Sequence, residues 1–167
     1  KIEKIFLSSG TTKSSRSKHY IKNLEIYKQS FLNGFKNNYG NPNEWIILAL
    51  LPSYLEQGDS SLIFMVDQII KMSQNENSRY IDLKNDNIES TLNKLKSEKV
   101  LLIGVSYALL DLAEIIPSSL SRWTIMETGG MKGRRKEIIR DELHLILKKA
   151  FDVDCIHSEY GMSELLS

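Results

Sequence analysis

Val100-Leu101-Leu102-Ile103-Gly104-Val105 is the stretch of sequence that best indicates the fold. Every residue except Gly104 is bulky and apolar, which is typical of a strand buried on both faces of a parallel sheet. An apolar helical face follows it directly, and Pro117 marks the end of that helix; the face consists of Leu109, Leu110, Ala113 and Ile116. A buried strand joined to an amphipathic helix is the repeating unit of a parallel α/β sheet.

The same alternation of strand and helix extends along the whole chain. The other β-rich runs are Lys4–Ser8, Trp45–Leu51, Arg79–Leu83, Trp123–Glu127 and Cys155–Ser158. Apolar residues at spacings of three and four predict four more helices: Tyr20, Leu24, Tyr27, Phe31 and Phe35; Leu62, Val66, Ile69 and Ile70; Ile88, Leu92 and Leu95; and Ile139, Leu143, Ile146 and Ala150. We therefore expect an α/β fold with a mostly parallel β-sheet flanked by helices.

The composition indicates one globular domain over residues 1–167. The chain is 41% hydrophobic and 26% charged, and its formal net charge of +1 favours neither nucleic acid nor an anionic membrane surface as a partner. No apolar run approaches the roughly 20 residues of a membrane-spanning helix. The single cysteine, Cys155, excludes an internal disulfide and is compatible with a cytoplasmic location. Because the chain begins without Met and ends just after a motif-like segment, we expect a truncated part of a larger protein.

Residues 8–19 form the first candidate binding loop, Ser8-Ser9-Gly10-Thr11-Thr12-Lys13-Ser14-Ser15-Arg16-Ser17-Lys18-His19. The loop follows a predicted strand and precedes a predicted helix, and it combines hydroxyl groups, one glycine and cationic side chains. Those groups are the ones that bind polyphosphates. The alternative is a polar turn in which Ser17 is the helix N-cap. The loop does not have the spacing of a Walker loop.

Two further loops follow predicted strands, and ligands of parallel sheets bind at the carboxyl ends of the strands. Glu127-Thr128-Gly129-Gly130-Met131-Lys132-Gly133-Arg134-Arg135-Lys136 offers glycines that let a flat ligand approach the backbone. Its cations are expected in the first turn of the fifth helix, where the helix dipole disfavours them. His157-Ser158-Glu159-Tyr160-Gly161-Met162-Ser163-Glu164 offers an aromatic ring for stacking and a carboxylate for Mg²⁺. We expect all three loops to meet at one edge of the sheet.

These loops resemble the motifs of the adenylate-forming (AMP-forming) enzyme superfamily. Ser8–Thr12 resembles its Ser/Thr/Gly phosphate loop, and Tyr160–Glu164 resembles its Tyr-Gly-x-Thr-Glu motif. The finer resemblance is to the acyl-protein synthetase (LuxE-type) branch. It rests on Ser17-Lys18-His19, Leu51-Pro52-Ser53-Tyr54-Leu55, Ser60-Ser61-Leu62, Glu127-Thr128-Gly129-Gly130 and Glu159-Tyr160-Gly161-Met162-Ser163-Glu164-Leu165, which occur in that order.

The resemblance implies part of the large N-terminal domain of a ligase, without its C-terminal lid domain. That ligase would use ATP and Mg²⁺ to activate a carboxylic acid, of the fatty acid class, as an acyl-adenylate, and would transfer the acyl group to a thiol on a protein or on coenzyme A. The implied nucleotide-binding residues are Ser8, Ser9, Gly10, Thr11, Thr12, Gly129, Gly130, Tyr160, Gly161, Met162 and Ser163. Glu164 would bind the metal, and Thr12, His19 and Glu164 form the implied catalytic set.

The chain departs from the family pattern at two positions. Lys13 stands where the family usually has Gly, and Ser163 stands where Thr is usual. Two other readings stay open: a non-catalytic nucleotide-binding module, and an unrelated α/β phosphotransferase that uses Ser8–Lys18 as its anion loop.

Several other polar and aromatic residues are assigned no function from the sequence. Cys155 is expected to be a small buried residue within a strand. His144 is expected at the surface of the fifth helix, and His157 at a strand end. Trp45 and Trp123 are expected to pack in the core.

Overall fold

The computed structural model describes residues 1–8, 17–52, 59–116 and 119–160. In chain order its elements are β1 (Lys4–Leu7), β2 (Lys18–Ile21), α1 (Leu24–Tyr39), a 3-10 turn (Pro42–Glu44), β3 (Ile46–Leu50), α2 (Ser61–Ser73), β4 (Arg79–Tyr80), α3 (Ile88–Leu95), β5 (Val100–Val105), α4 (Ser106–Ile115), β6 (Thr124–Thr128), α5 (Arg140–Phe151) and β7 (Ile156–Ser158).

The main sheet has five parallel strands in the order β4-β3-β5-β6-β7. The expected α/β class with a parallel sheet flanked by helices is confirmed. Every residue of β3 and of β5 is buried, as the apolar run Val100–Val105 predicted. Relative to its own five strands the order is 2-1-3-4-5, which is one of the two common doubly wound arrangements. Among the described residues no helix is long and apolar enough to cross a membrane.

The first predicted strand is not part of this sheet. β1 pairs in antiparallel fashion with β2, and the two strands form a separate two-stranded sheet. The prediction of six strands in one sheet was therefore wrong. The second strand of the pair was missed because Tyr20 continues the helical spacing of Leu24 and Tyr27, although it lies in β2.

The first helix begins later than the sequence pattern suggested. Asn23 is its N-cap, and the Asn23 side chain accepts a hydrogen bond from the Glu25 amide. The alternative in which Ser17 caps this helix is wrong, since the Ser17 amide donates to the Ser8 hydroxyl at 3.0 Å and its carbonyl accepts from the Ser8 amide at 3.0 Å. The apolar face itself is confirmed, because Tyr27, Phe31 and Phe35 are buried.

Of the residues predicted for the apolar stripe of α5, only Leu143 is buried. Leu143, Leu147 and Phe151 are its buried residues, whereas Ile139 precedes the helix and is 71% exposed. Both sets have helical spacing, so the pattern alone does not choose between them. Ile146 and Ala150 instead line an open groove beside α4.

Candidate functional site

An open cavity of about 290 Å³ lies at the carboxyl ends of β6 and β7. Its lining comes from four places in the sequence: the residue after β5, the end of β6 with the loop that follows, the start of α5, and the residues after β7. The lining residues are Ser106, Glu127, Gly129, Gly130, Met131, Glu137, Ile138, Arg140, Leu143, Glu159 and Tyr160. Gly129, Gly130 and Tyr160, which the sequence placed in two separate loops, therefore line one cavity.

The glycines let the backbone turn sharply at the end of β6. Gly129 and Gly130 have φ angles of 74° and 69°, a conformation that side chains with a Cβ rarely adopt. A Cβ added at Gly130 would meet no atom within 4 Å, so the space beside this residue is open to a ligand. Tyr160 is 73% exposed and lines the same cavity.

Glu127 connects several residues around the cavity through its carboxylate. Its carboxylate is buried, and it accepts hydrogen bonds from the Ser106 hydroxyl at 3.1 Å and from the Ser158 hydroxyl at 2.6 Å. Ser106 directly follows β5, and Ser158 is the last residue of β7. The Glu127 side chain on β6 therefore connects the carboxyl ends of three neighbouring strands. Arg140 Nε lies 3.7 Å from the same carboxylate and supplies an opposite charge at the cavity wall.

His144 approaches this carboxylate from α5. Its Nε2 lies 3.5 Å from Glu127 Oε1 and 3.3 Å from Ser158 Oγ. A nucleophile relay would need one imidazole nitrogen for the serine and the other for the carboxylate. Here one nitrogen faces both groups and the serine donates to the carboxylate directly, so the cluster supports the strand ends and is not a relay. His144 is half-buried on α5, and its contacts with Glu127 and Ser158 were not predicted.

Glu159 adds a second carboxylate to the cavity. The Thr128 hydroxyl donates to Glu159 Oε2 at 2.6 Å, and the Glu159 amide donates to the Glu127 carbonyl at 2.9 Å. Burial raises the pKa of the Glu159 carboxyl, the Thr128 hydrogen bond opposes that effect, and the nearby charge of Glu127 adds to it. Glu127 and Glu159 had no predicted role of their own and were only parts of the sequence motifs. Their position at the carboxyl ends of neighbouring strands was the available signal.

The cations expected at the start of the fifth helix lie elsewhere. α5 begins at Arg140, and its first turn carries Asp141 and Glu142, which suit the helix dipole. Arg135 donates to Asp111 at 2.9 Å and to Glu114 at 2.8 Å, both on α4. The predicted conflict between these cations and the helix dipole is therefore absent, and Arg135 ties the loop to α4.

Only parts of the first predicted loop can be placed. Ser8 pairs with Ser17, and the Leu7 amide donates to the Asp59 carbonyl at 2.9 Å, which attaches the base of the loop to the segment after β3. His19 lies on β2 opposite Phe6 and does not line the cavity. Ser9, Gly10, Thr11, Thr12 and Lys13 lie outside the described residues, as do Gly161, Met162, Ser163 and Glu164.

Cys155 and His157 also differ from expectation. Cys155 precedes β7 and is exposed, so the prediction of a buried strand residue was wrong. His157 lies within β7 and contacts Tyr39 and Cys155. Trp45 and Trp123 are buried, as expected. Among the described residues no three His, Cys, Asp or Glu side chains form a group suited to a metal ion.

Comparisons of this chain with protein-family models, with curated proteins and with solved structures found no match.

Proposed function

We propose that this chain is part of an AMP-forming ligase that activates a carboxylic acid, of the fatty acid class, as an acyl-adenylate and transfers the acyl group to a thiol. The observation that carries the proposal is the shared cavity of Gly129, Gly130 and Tyr160. The resemblance assigns these residues to the adenine of ATP, and they are separated by about 30 positions in the sequence. A cavity at the carboxyl ends of parallel strands is the expected place for such a ligand.

The charges of the cavity suit the base of a nucleotide better than its phosphates. Among the described lining residues, Glu127, Glu137 and Glu159 outnumber the one cation, Arg140. Carboxylates accept hydrogen bonds, so they favour an amino-bearing heterocycle and repel a triphosphate. The volume of about 290 Å³ lies near the lower end of small-molecule sites, which also favours binding of only the base.

The phosphates are therefore assigned outside the cavity. By resemblance, Ser8, Ser9, Gly10, Thr11 and Thr12 would contact them through amides and hydroxyl groups, and Ser163 would contact the α-phosphate. In the described part of this loop the Ser8 amide already donates to Ser17, so Ser8 would contribute its hydroxyl group only. Mg²⁺, bound by Glu164, would supply charge neutralisation beside the reacting phosphate. His19 keeps its proposed catalytic role as an expectation from its place in the motif.

The proposal is tested by ATP–pyrophosphate exchange with the complete gene product. Exchange is expected to require a fatty acid, because pyrophosphate is released only when the acid attacks ATP. Exchange in the absence of any acid, or ATP binding with no exchange for any acid tested, would contradict the ligase; the second result would favour a non-catalytic nucleotide-binding module.

The location of the adenine is tested by Tyr160→Ala. Loss of base stacking is expected to weaken ATP binding by about 1–3 kcal/mol, the range found for stacking of bases on aromatic side chains. Tyr20→Ala is the matched control, since Tyr20 is a comparably exposed tyrosine on β2 outside the cavity. An unchanged Michaelis constant for ATP in Tyr160→Ala would remove Tyr160 from the site.

A further inference from the structure

A second group of reactive side chains lies at the other end of β7. Cys155 directly precedes the strand and His157 lies within it, whereas Glu159 and Tyr160 follow it, so Ser158 lies between this group and the lining residues of the cavity in the sequence. Cys155 Sγ lies 3.3 Å from His157 Nε2, and His157 Nδ1 lies 2.7 Å from the Tyr39 hydroxyl group. A thiol, an imidazole and a hydroxyl group therefore form one continuous chain of contacts.

The contacts of His157 are compatible with the tautomer that activation of the thiol requires. For Nε2 to accept the thiol proton, Nδ1 must hold a proton and donate it to the Tyr39 oxygen. Burial, and to a smaller extent the charge of Cys155, raises the pKa of Tyr39, so its hydroxyl group stays neutral near neutral pH and its oxygen can accept that hydrogen bond. Tyr39 thus plays the part of the third group that orients a base.

The position of Tyr39 is itself fixed by packing. Its ring lies 5.2 Å from Phe35 and 6.0 Å from Trp45, and the Trp45 indole donates to the Tyr39 carbonyl at 2.8 Å. Phe35 and Trp45 are buried. Tyr39, the partner of the base, is therefore packed against the core, whereas Cys155 is exposed.

We propose that Cys155 is a nucleophilic thiol, with His157 as its base and Tyr39 as a positioning residue, and that it undergoes exchange with small-molecule disulfides. His157 Nε2 takes the thiol proton as Cys155 Sγ bonds to one sulfur of the disulfide. The sulfur–sulfur bond of the reagent breaks, its other half leaves as a thiolate, and His157 releases the thiol proton to solvent. The Cys155 sulfur is oxidised to a mixed disulfide, and the departing sulfur is reduced to a thiolate.

The sequence determines what happens to the adduct. Cys155 is the only cysteine among the 167 residues, so no second thiol of this chain can displace the bound half of the reagent. The mixed disulfide is therefore expected to persist until an external thiol removes it. This inference is independent of the proposed ligase activity, since it uses none of the residues of the cavity.

The test is the second-order rate of reaction of the folded chain with 5,5′-dithiobis(2-nitrobenzoate), followed at neutral pH by release of the coloured thiolate. The wild-type chain is expected to react at least about tenfold faster than His157→Asn, a conservative value for general-base assistance. Tyr39→Phe keeps the ring and removes the hydroxyl group, so its rate is expected to fall between the two. Tyr20→Phe, a change on β2, is expected to leave the rate unchanged.

The same variants unfolded in urea provide the reference, because there all of them should react at one common rate. Equal rates for folded wild type and folded His157→Asn would overturn the proposal. If circular dichroism shows that His157→Asn does not fold, Tyr39→Phe decides the matter in the same way: a rate equal to wild type overturns the proposal, and a slower rate supports it.

Discussion

At the scale of single residues, the carboxyl group of Glu159 is the polar group most affected by burial in the cavity. Burial raises its pKa and the hydrogen bond from Thr128 only partly compensates. Glu127, which lies beside it, accepts bonds from Ser106 and Ser158 as well as facing Arg140. The two acids therefore differ in role: Glu127 connects the strand ends, and Glu159 keeps a destabilising charge next to the cavity.

Glu159→Gln is expected to increase the stability of the folded chain at neutral pH. Glutamine removes the partly buried charge, and its amide oxygen can still accept the Thr128 hydrogen bond. Because the pKa of Glu159 is raised in the folded state, its ionisation disfavours folding at any pH well above that value. The measurement is the urea-unfolding free energy of both chains as a function of pH.

The sign of the pH dependence separates this explanation from a packing effect. As pH falls through the raised pKa of Glu159, the wild-type carboxyl becomes neutral and the advantage of Gln should shrink; below the ordinary value of 4.5 it should vanish. A difference between the two chains that does not change with pH would contradict the assignment of a buried charge.

At the scale of secondary-structure elements, the contact between β5 and α4 depends on a residue without a side chain. A Cβ added at Gly104 would lie 2.5 Å from Leu109 Cδ2 and 2.6 Å from Leu109 Cγ. Leu109 is fully buried, so it cannot move aside. The glycine in the apolar run Val100–Val105 is thus explained by the close approach of the helix that follows.

Gly104→Ala is expected to destabilise the chain by about 1–3 kcal/mol, the usual cost of overpacking a core. Gly34→Ala is the matched control, because Gly34 is exposed within α1 and an added Cβ meets nothing within 4 Å. There the same substitution should stabilise by about 0.5–1 kcal/mol through helix propensity. The close contact is supported if the unfolding free energy in urea falls for Gly104→Ala and rises for Gly34→Ala. An unchanged unfolding free energy for Gly104→Ala would refute it.

The elements also show why part of the fold was readable from the sequence and part was not. Strands buried on both faces gave continuous apolar runs, and β5 was predicted with its observed ends. The stripe of α5 was ambiguous, because Ile139–Ile146 and Leu143–Leu147 both fit helical spacing and only the tertiary contacts select Leu143, Leu147 and Phe151. For the site, the motifs located Gly129, Gly130 and Tyr160, but the contacts of His144 and His157 depend on which helix or strand lies opposite them.

At the scale of the whole molecule, the two-stranded sheet is attached to the main body by aromatic packing. Phe6, on β1, is fully buried, and its ring lies 5.2 Å from Tyr27 on α1 and 5.7 Å from Phe64 on α2. The pairing of β1 with β2 was not predictable from spacing, since a four-residue strand gives too few residues to show alternation. The attachment follows from the shared aromatic cluster.

Phe6→Ala is expected to destabilise the whole chain by about 3–5 kcal/mol, the usual cost of truncating a buried phenylalanine. An isolated two-stranded sheet is marginal in water, so its order should depend on this contact with α1 and α2. Ile5→Ala is the control on the same strand: Ile5 is 38% exposed, and its truncation should cost about 1 kcal/mol or less.

Both variants are compared with wild type by urea unfolding, followed by circular dichroism and by tryptophan fluorescence. Trp45 and Trp123 adjoin strands of the main sheet, so tryptophan fluorescence reports on that sheet. If both probes show the same loss of unfolding free energy in Phe6→Ala, the two-stranded sheet and the main sheet unfold as one unit. If Phe6→Ala loses no more unfolding free energy than Ile5→Ala, the aromatic cluster does not attach the two-stranded sheet to the main body.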